Sequence, residues 1–143
     1  MIKNRLIFTV SENGRVGEWT LPGTALKSTE GGDFWRMIAD DGYYMEMTIH
    51  SSEQTGKVTR EGNVTTITYD HIVTDTGRVI DATLTVTVTE TEEGYLFATK
   101  LANRSNVRLN ELQCPYVDFE HMVGEREDDI LYRPKGLGER IEN

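Results

Sequence analysis

Strict alternation of apolar and polar residues over 82–91, ATLTVTVTET, restricts what this chain can fold into. Leu84, Val86 and Val88 occupy every second position, and threonines fill the positions between them. Successive side chains of a β-strand point to opposite faces of a sheet, whereas a helix would need apolar residues three and four positions apart. The stretch therefore predicts a strand with one buried face and one polar face.

A second alternating stretch, YYMEMTIH (43–50), follows an Asp-Gly pair at 41–42 and the apolar run DFWRMIA (33–39). Asp-Gly between two such runs is a strong hairpin signal, because glycine readily adopts the positive φ that a tight turn demands. We therefore expect a tight hairpin at Asp40–Gly42, with Gly42 at positive φ.

Turn residues recur about every ten positions along the whole chain. The runs between them predict strands at 5–10, 15–21, 33–39, 43–50, 56–61, 64–74, 78–93, 95–103, 107–120 and 130–133, largely as a meander. At 143 residues the chain is long enough for one domain with a two-layer core. Sheets with one apolar face must pack face to face, so the fold class is all-β, an antiparallel two-sheet β-sandwich. A small closed β-barrel is the alternative.

Charge and composition exclude several partners. The net charge is −9 and the basic residues are scattered, which argues against nucleic acid or an anionic membrane as the partner. No apolar run approaches the roughly 20 residues that a membrane helix needs. The first residues are not typical of a signal peptide, which favours a cytoplasmic location unless a leader has been removed.

Residues with catalytic or metal-binding chemistry form no recognisable pattern. His50, His71 and His121 lack metal-ligand spacing, and the acidic run at 125–129 lacks the alternating donors of a calcium loop. Cys114 lies in an apolar strand context, LQCPY, which favours a buried thiol over a nucleophile. We therefore predict no catalytic residue, no metal site and no cofactor in this chain.

The most informative segment for binding is GGDFWRMIADDGYYMEM (31–47). Aromatic rings can hold the C–H face of a sugar while polar groups take its hydroxyls, so Trp19, Trp35, Tyr44 and Arg36 are candidate carbohydrate contacts. For each aromatic, packing in the core is the favoured alternative. Trp35 and Arg36 are adjacent and must point to opposite faces, so both cannot serve one site.

Three segments resemble the N-terminal domains of large bacterial glycoside hydrolases of the galactose-mutarotase-like, or supersandwich, type. They are GGDFWRMIADDG, YLFATKLANRSNVRLNELQCPYVDF and DDILYRPKGLGERIEN. In those enzymes a strand reading Leu-Tyr-x-Pro leads into a glycine-rich linker and then a catalytic domain. The resemblance implies a β-sandwich domain at 1–133 and the start of an interdomain linker at 134–143.

The same resemblance implies a catalytic domain of the same polypeptide as partner. Candidate contacts to that domain are Tyr116, Phe119, Tyr132, Arg133 and Arg140. The histidines do not match the histidine pair and glutamate of active mutarotases, so epimerase activity is not implied.

Two functions follow as expectations. The first is a non-catalytic accessory β-sandwich of a glycoside hydrolase, which scaffolds the enzyme or contacts carbohydrate. The second is a self-contained domain that binds a small ligand or carbohydrate, in a cavity lined by Met37, Met45, Met47 and Phe97.

Overall fold

A computed structural model describes residues 6–22, 28, 31–40, 42 and 46–118, together with the backbone of 130–133 and 139–142. The strands are β1 (Ile7–Val10), β2 (Val16–Thr20), β3 (Arg36–Asp40), β4 (Glu46–His50), β5 (Lys57–Glu61), β6 (Val64–Val73), β7 (Val79–Glu90), β8 (Tyr95–Asn103), β9 (Arg108–Gln113), β10 (Ile130–Arg133) and β11 (Glu139–Glu142). A 3-10 turn at Ser51–Glu53 separates β4 from β5, and the described residues include no α-helix.

Two antiparallel sheets carry most of the described chain. Strands β5 to β8 form a four-stranded meander, as the evenly spaced turns predict. The other main sheet has three strands in the order β4-β3-β9, so that β9 returns across the molecule to pair with β3. Strands β1 and β2 form a separate two-stranded ribbon, as do β10 and β11.

The two main sheets pack face to face around one core. Trp35, next to β3, meets Tyr69 of β6 with ring centroids 5.2 Å apart in an edge-to-face arrangement. The β1–β2 ribbon closes one side of this core, where Trp19 stacks on Phe97 of β8 at 5.5 Å. The fold is therefore the predicted all-β sandwich, and the described strands do not close into a barrel.

The alternation in β7 produces the expected two faces. Leu84, Val86 and Val88 are buried in the core, while the threonines between them lie on the outer face. Across that face Thr85 pairs with Thr68 of β6 on one side and with Lys100 of β8 on the other. Both the β-branched apolar residues and the threonines suit this pleated surface.

The β3–β4 hairpin is formed as predicted, but its loop is longer than a tight two-residue turn. Asp40 pairs with Glu46, so five residues connect the two strands. Gly42 has φ of +84° and donates its backbone N–H to the Asp40 carboxylate at 2.6 Å. The positive φ at Gly42 is confirmed, and the Asp40 side chain holds the start of the loop.

Candidate functional site

The two tryptophans proposed as carbohydrate contacts lie in the core. Trp35 is fully buried and Trp19 is 5% exposed. Core packing, the alternative that the sequence favoured for single aromatics, is confirmed for both. Neither ring is accessible to a sugar in this structure, and Tyr44 lies outside the described residues.

Arg36 lies on the opposite side of β3 from Trp35, as the sequence required. Its side chain is 30% exposed on the outer face of the three-stranded sheet. There it is flanked by His50 of β4 and Gln113 of β9. Alternation along the strand therefore separates the buried aromatic from the charged surface group.

Asp33 is the buried anchor of this surface. Its Oδ2 accepts a hydrogen bond from Arg36 Nε at 2.6 Å and lies 2.7 Å from Nδ1 of His50. Its Oδ1 accepts from the backbone N–H and the hydroxyl of Ser52, at 3.0 and 2.9 Å. The carboxylate thereby joins the start of β3, the end of β4 and the 3-10 turn.

These donors decide the charge of Asp33. Burial alone would raise its pKa, because burial penalises the charged form. The hydrogen bonds from Arg36, His50 and Ser52 outweigh the burial and lower the pKa from 3.8 to about 2. Asp33 is therefore a stable carboxylate and does not have the pKa of a general acid near neutral pH.

The segment after β9 holds the other end of the Arg36 guanidinium. Arg36 Nη2 donates to Asp118 Oδ2 at 3.2 Å, and the guanidinium carbon lies 4.0 Å from the ring centroid of Tyr116. The Tyr116 hydroxyl donates to Asp118 Oδ1 at 3.0 Å, and the Tyr116 backbone N–H donates to Phe34 O at 2.7 Å. We call Arg36, His50, Gln113, Tyr116 and Asp118 the Arg36 face.

The charges of the Arg36 face are set by the hydrogen bonds that its residues make. The hydrogen bond to Asp33 raises the pKa of Arg36, so its positive charge is permanent. Burial, together with the hydrogen bond to Asp118, raises the pKa of Tyr116, so its hydroxyl stays protonated. The face therefore combines a fixed cation, a neutral hydroxyl and the Asp118 carboxylate, which is 43% exposed.

The structure brings together two residues that the sequence had assigned to different roles. Arg36 was a candidate carbohydrate contact and Tyr116 a candidate interdomain contact, yet they stack on each other. Phe119 lies outside the described residues, as do the side chains of Tyr132, Arg133 and Arg140. The backbone of the last three is in the β10–β11 pair, where Tyr132 faces Arg140. The linker at 134–143 and the docking role of these residues stay predictions.

Sequence reasoning missed Asp33, His50 and Asp118 as members of one network. A partial signal was present, because the alternation in 43–50 places His50 on the polar face and the hairpin pairs it with Arg36. No comparable signal links Asp118 to Arg36, since 82 positions separate them.

Other candidate groups are accounted for by packing. Cys114 is half-buried, and burial raises the pKa of its thiol to about 12, as expected for a packed thiol. Met37 and Met47 are buried in the core, Phe97 packs against it, and Met45 lies outside the described residues. His71 is exposed in β6, at a register shift where its φ is 57°.

Comparison with known proteins identifies no relative. No protein-family model, no curated protein and no solved structure matches this chain. Within the described residues, no helix is long and apolar enough to cross a membrane.

Proposed function

We propose that this chain is a non-catalytic accessory β-sandwich domain of a bacterial glycoside hydrolase and that it contacts carbohydrate through the Arg36 face. The carbohydrate contact is proposed because Asp33, Asp118 and Tyr116 hold the partly exposed Arg36 guanidinium in one position. The glycoside hydrolase assignment rests on the three segments that resemble such enzymes. A cytoplasmic location is part of the same proposal.

The chemistry of the Arg36 face suits sugar hydroxyls. A guanidinium has five N–H donors and a carboxylate only accepts, whereas a hydroxyl both donates and accepts. Arg36 donates from Nε to Asp33 and from Nη2 to Asp118, so these two carboxylates take two of its five N–H donors. Arg36 can therefore donate to one hydroxyl oxygen while Asp118 accepts from a neighbouring hydroxyl. Hydrogen bonds to charged groups are the stronger kind.

Rigidity is the second supporting feature. An arginine side chain ordinarily loses rotamer freedom when it binds a ligand, and this loss costs about 0.5–1.5 kcal/mol of binding free energy. Arg36 has already lost much of that freedom, because two carboxylates and an aromatic ring hold it in place. A polar group supported in this way by second-layer contacts is typical of a binding site on a rigid scaffold.

The accessory role assigns catalysis to another domain of the same polypeptide. Asp33, the buried carboxylate that holds Arg36, is kept ionised by its donors and does not suit proton transfer. Residues of the sandwich would then position the glycan chain, and a partner domain would supply the acid and base.

Affinity electrophoresis of the 143-residue chain through gels containing soluble polysaccharides tests the proposal. We expect at least one polysaccharide to retard the chain, and we expect Arg36→Ala to weaken that retardation at least tenfold. Arg104→Ala is the matched control, because Arg104 pairs with Asp81 on the four-stranded sheet with both side chains about half exposed. It should leave the retardation unchanged.

A second variant separates binding from folding. Gln113→Ala removes an exposed amide whose only described side-chain bond is to Glu111, at 2.6 Å. We expect it to weaken binding several-fold at an unchanged melting temperature. Retardation by no polysaccharide would overturn the carbohydrate contact, and so would retardation equal in Arg36→Ala, Gln113→Ala and the parent chain.

A further inference from the structure

A cleft of about 330 Å³ opens on the sandwich at a place distant in sequence from the Arg36 face. It lies beside β1, the β5–β6 turn and the ends of β7 and β8, and it includes Phe8, Arg60, Asn63, Val88 and Tyr95 in its lining. Small-molecule sites in proteins generally measure about 300–1,000 Å³. The volume therefore fits one small ring and is too small for an extended chain.

One side of the cleft is apolar and firmly packed. Val88 is 3% exposed and belongs to the core. Phe8 and Tyr95 are half-buried and meet edge-to-face with ring centroids 5.6 Å apart. Phe8 is further held by Trp19, at a centroid distance of 4.6 Å. These contacts fix the aromatic wall before any ligand binds.

The other side of the cleft is polar and equally well positioned. Arg60 donates from Nη2 to the backbone oxygen of Val10 at 2.6 Å, which uses one nitrogen of its guanidinium. Asn63 donates from Nδ2 to the backbone oxygen of Glu90 at 2.7 Å, and its own backbone oxygen accepts from the Glu90 N–H at 2.8 Å. The remaining guanidinium donors and the Asn63 Oδ1 have no partner among the described residues.

The charge of the lining selects the class of ligand. Among the described residues that line the cleft, Arg60 and Glu90 contribute one positive and one negative charge. An anion such as a phosphate would lie beside the Glu90 carboxylate, and a cation would lie beside Arg60. A neutral ring with an apolar C–H surface and hydroxyls at its edge fits the aromatic wall and the polar wall at the same time.

We propose that this cleft binds a single neutral pyranose, either free or as one residue of a glycan. The aromatic wall of Phe8 and Tyr95 would cover the C–H surface of the ring, while Arg60 and Asn63 would bond its hydroxyls. The proposal does not depend on the Arg36 face, because the two sites share no residue.

Titration of the isotope-labelled chain with neutral methyl glycosides tests this proposal by NMR. The probes are methyl glucoside, galactoside, mannoside, xyloside and N-acetylglucosaminide. For at least one probe, we expect saturable amide shifts concentrated at residues 8–10, 60–65 and 88–95. Arg60→Ala should weaken the binding at least tenfold.

Matched variants make the result specific. Lys57→Ala removes an exposed cation of the same strand outside the cleft and should leave the binding unchanged. Thr65→Val replaces a hydroxyl in the lining by a methyl of similar size and should weaken the binding several-fold without loss of fold. Arg36→Ala should leave the monosaccharide shifts intact, which separates this site from the Arg36 face.

Three results would overturn the proposal. The first is the absence of saturable shifts for every methyl glycoside. The second is an Arg60→Ala variant that binds as tightly as the parent chain. The third is inorganic phosphate that shifts the same amides more strongly than any glycoside does, which would assign the cleft to anions instead.

Discussion

Asp33 is the residue on which the Arg36 face depends. Its side chain is 3% exposed and takes donors from Arg36, His50 and Ser52. Replacing one partner of a buried charged network leaves the others unpaired, which commonly costs about 3–5 kcal/mol. By contrast, an exposed ion pair contributes at most about 1 kcal/mol.

We therefore predict that Asp33→Asn lowers the free energy of unfolding by about 3 kcal/mol at pH 7. Asp81→Asn, in the exposed pair with Arg104, should lower it by less than about 1 kcal/mol. Urea denaturation followed by tryptophan fluorescence measures both, since Trp19 and Trp35 are buried in the folded chain. Equal losses in the two variants would contradict the special role of Asp33.

The contribution of Asp33 to the free energy of unfolding depends on pH in a defined way. The pKa of Asp33 is about 2 in the folded chain and near 3.8 when unfolded, so folding favours the ionised form. This contribution is fully present above about pH 4 and is lost as the pH falls through about 2. The stability gap between the parent chain and Asp33→Asn should therefore narrow by about 2 kcal/mol over that interval. A gap that stays constant down to pH 2 would show that Asp33 has an ordinary pKa.

The sequence predicted the faces on which Trp35 and Arg36 lie, but it did not predict the contacts of Arg36. Alternation alone places Trp35 and Arg36 on opposite faces, because it is a local property of one strand. The contacts of Arg36 with His50 and Asp118 depend on which strands become neighbours. Such pairing is decided by the packing of the whole sandwich and leaves no local signal at Asp118.

Among the elements, the loop between β1 and β2 is held to the sandwich by a close backbone approach. Gly56 donates its N–H to Asn13 O at 2.7 Å, and the Tyr69 hydroxyl donates to Gly14 O at 2.6 Å. A Cβ at position 56 would lie 2.8 Å from Ile67 Cγ2 and 2.9 Å from Tyr69 Cε1. Both neighbours are buried side chains of β6, so they have little room to move.

We predict that Gly56→Ala destabilises the chain by about 1–3 kcal/mol, the usual range for overpacking a core. Gly42→Ala is the comparison, since Gly42 has φ of +84° but a Cβ there meets nothing within 4 Å. It should cost only about 1 kcal/mol, from backbone strain alone. Thermal unfolding followed by circular dichroism ranks the two variants. A smaller effect at position 56 than at position 42 would contradict the steric reason.

Among the strand pairings, only those between strands adjacent in sequence could be predicted. The meander β5 to β8 follows from turn residues between alternating segments, and each of its pairings is between sequence neighbours. The pairing of β9 with β3 was not predicted, because it joins Met37 to Leu112 across most of the chain. Strand pairing over such a distance depends on both sheets having a common core and not on a local pattern.

At the scale of the whole molecule, the strands of the four-stranded sheet differ in how well they are protected from local opening. Strand β7 has a hydrogen-bonded neighbour on both sides over most of its length, from Ala82 onward. Its five core-facing side chains, Ile80, Ala82, Leu84, Val86 and Val88, are at most 3% exposed. Strand β8 is an edge of the same sheet within the described residues, and Leu96 on it is 64% exposed. Stability against local opening should therefore fall from β7 to β8.

Hydrogen bonds at the two ends of the β7–β8 pair indicate which amides of β8 bond to β7. Thr91 N–H donates to Gly94 O at 2.8 Å, and Arg104 N–H donates to Asp81 O at 2.9 Å. Hydrogen-bonded pairs alternate along an antiparallel ladder, so the even-numbered residues of β8 bond to β7. The amides of its odd-numbered residues, such as Phe97 and Thr99, point away from β7.

We predict that native-state hydrogen exchange follows this alternation. Amides of β7 should exchange only through global unfolding, with rates that rise with denaturant as the free energy of unfolding falls. In β8 the amides of Ala98 and Lys100 should be protected, while those of Phe97 and Thr99 exchange at least a hundredfold faster. NMR-detected exchange of the 143-residue chain resolves these neighbours individually. Equal protection of both sets would contradict the assignment of β8 as a free edge and would mean that another segment or a second molecule pairs with it.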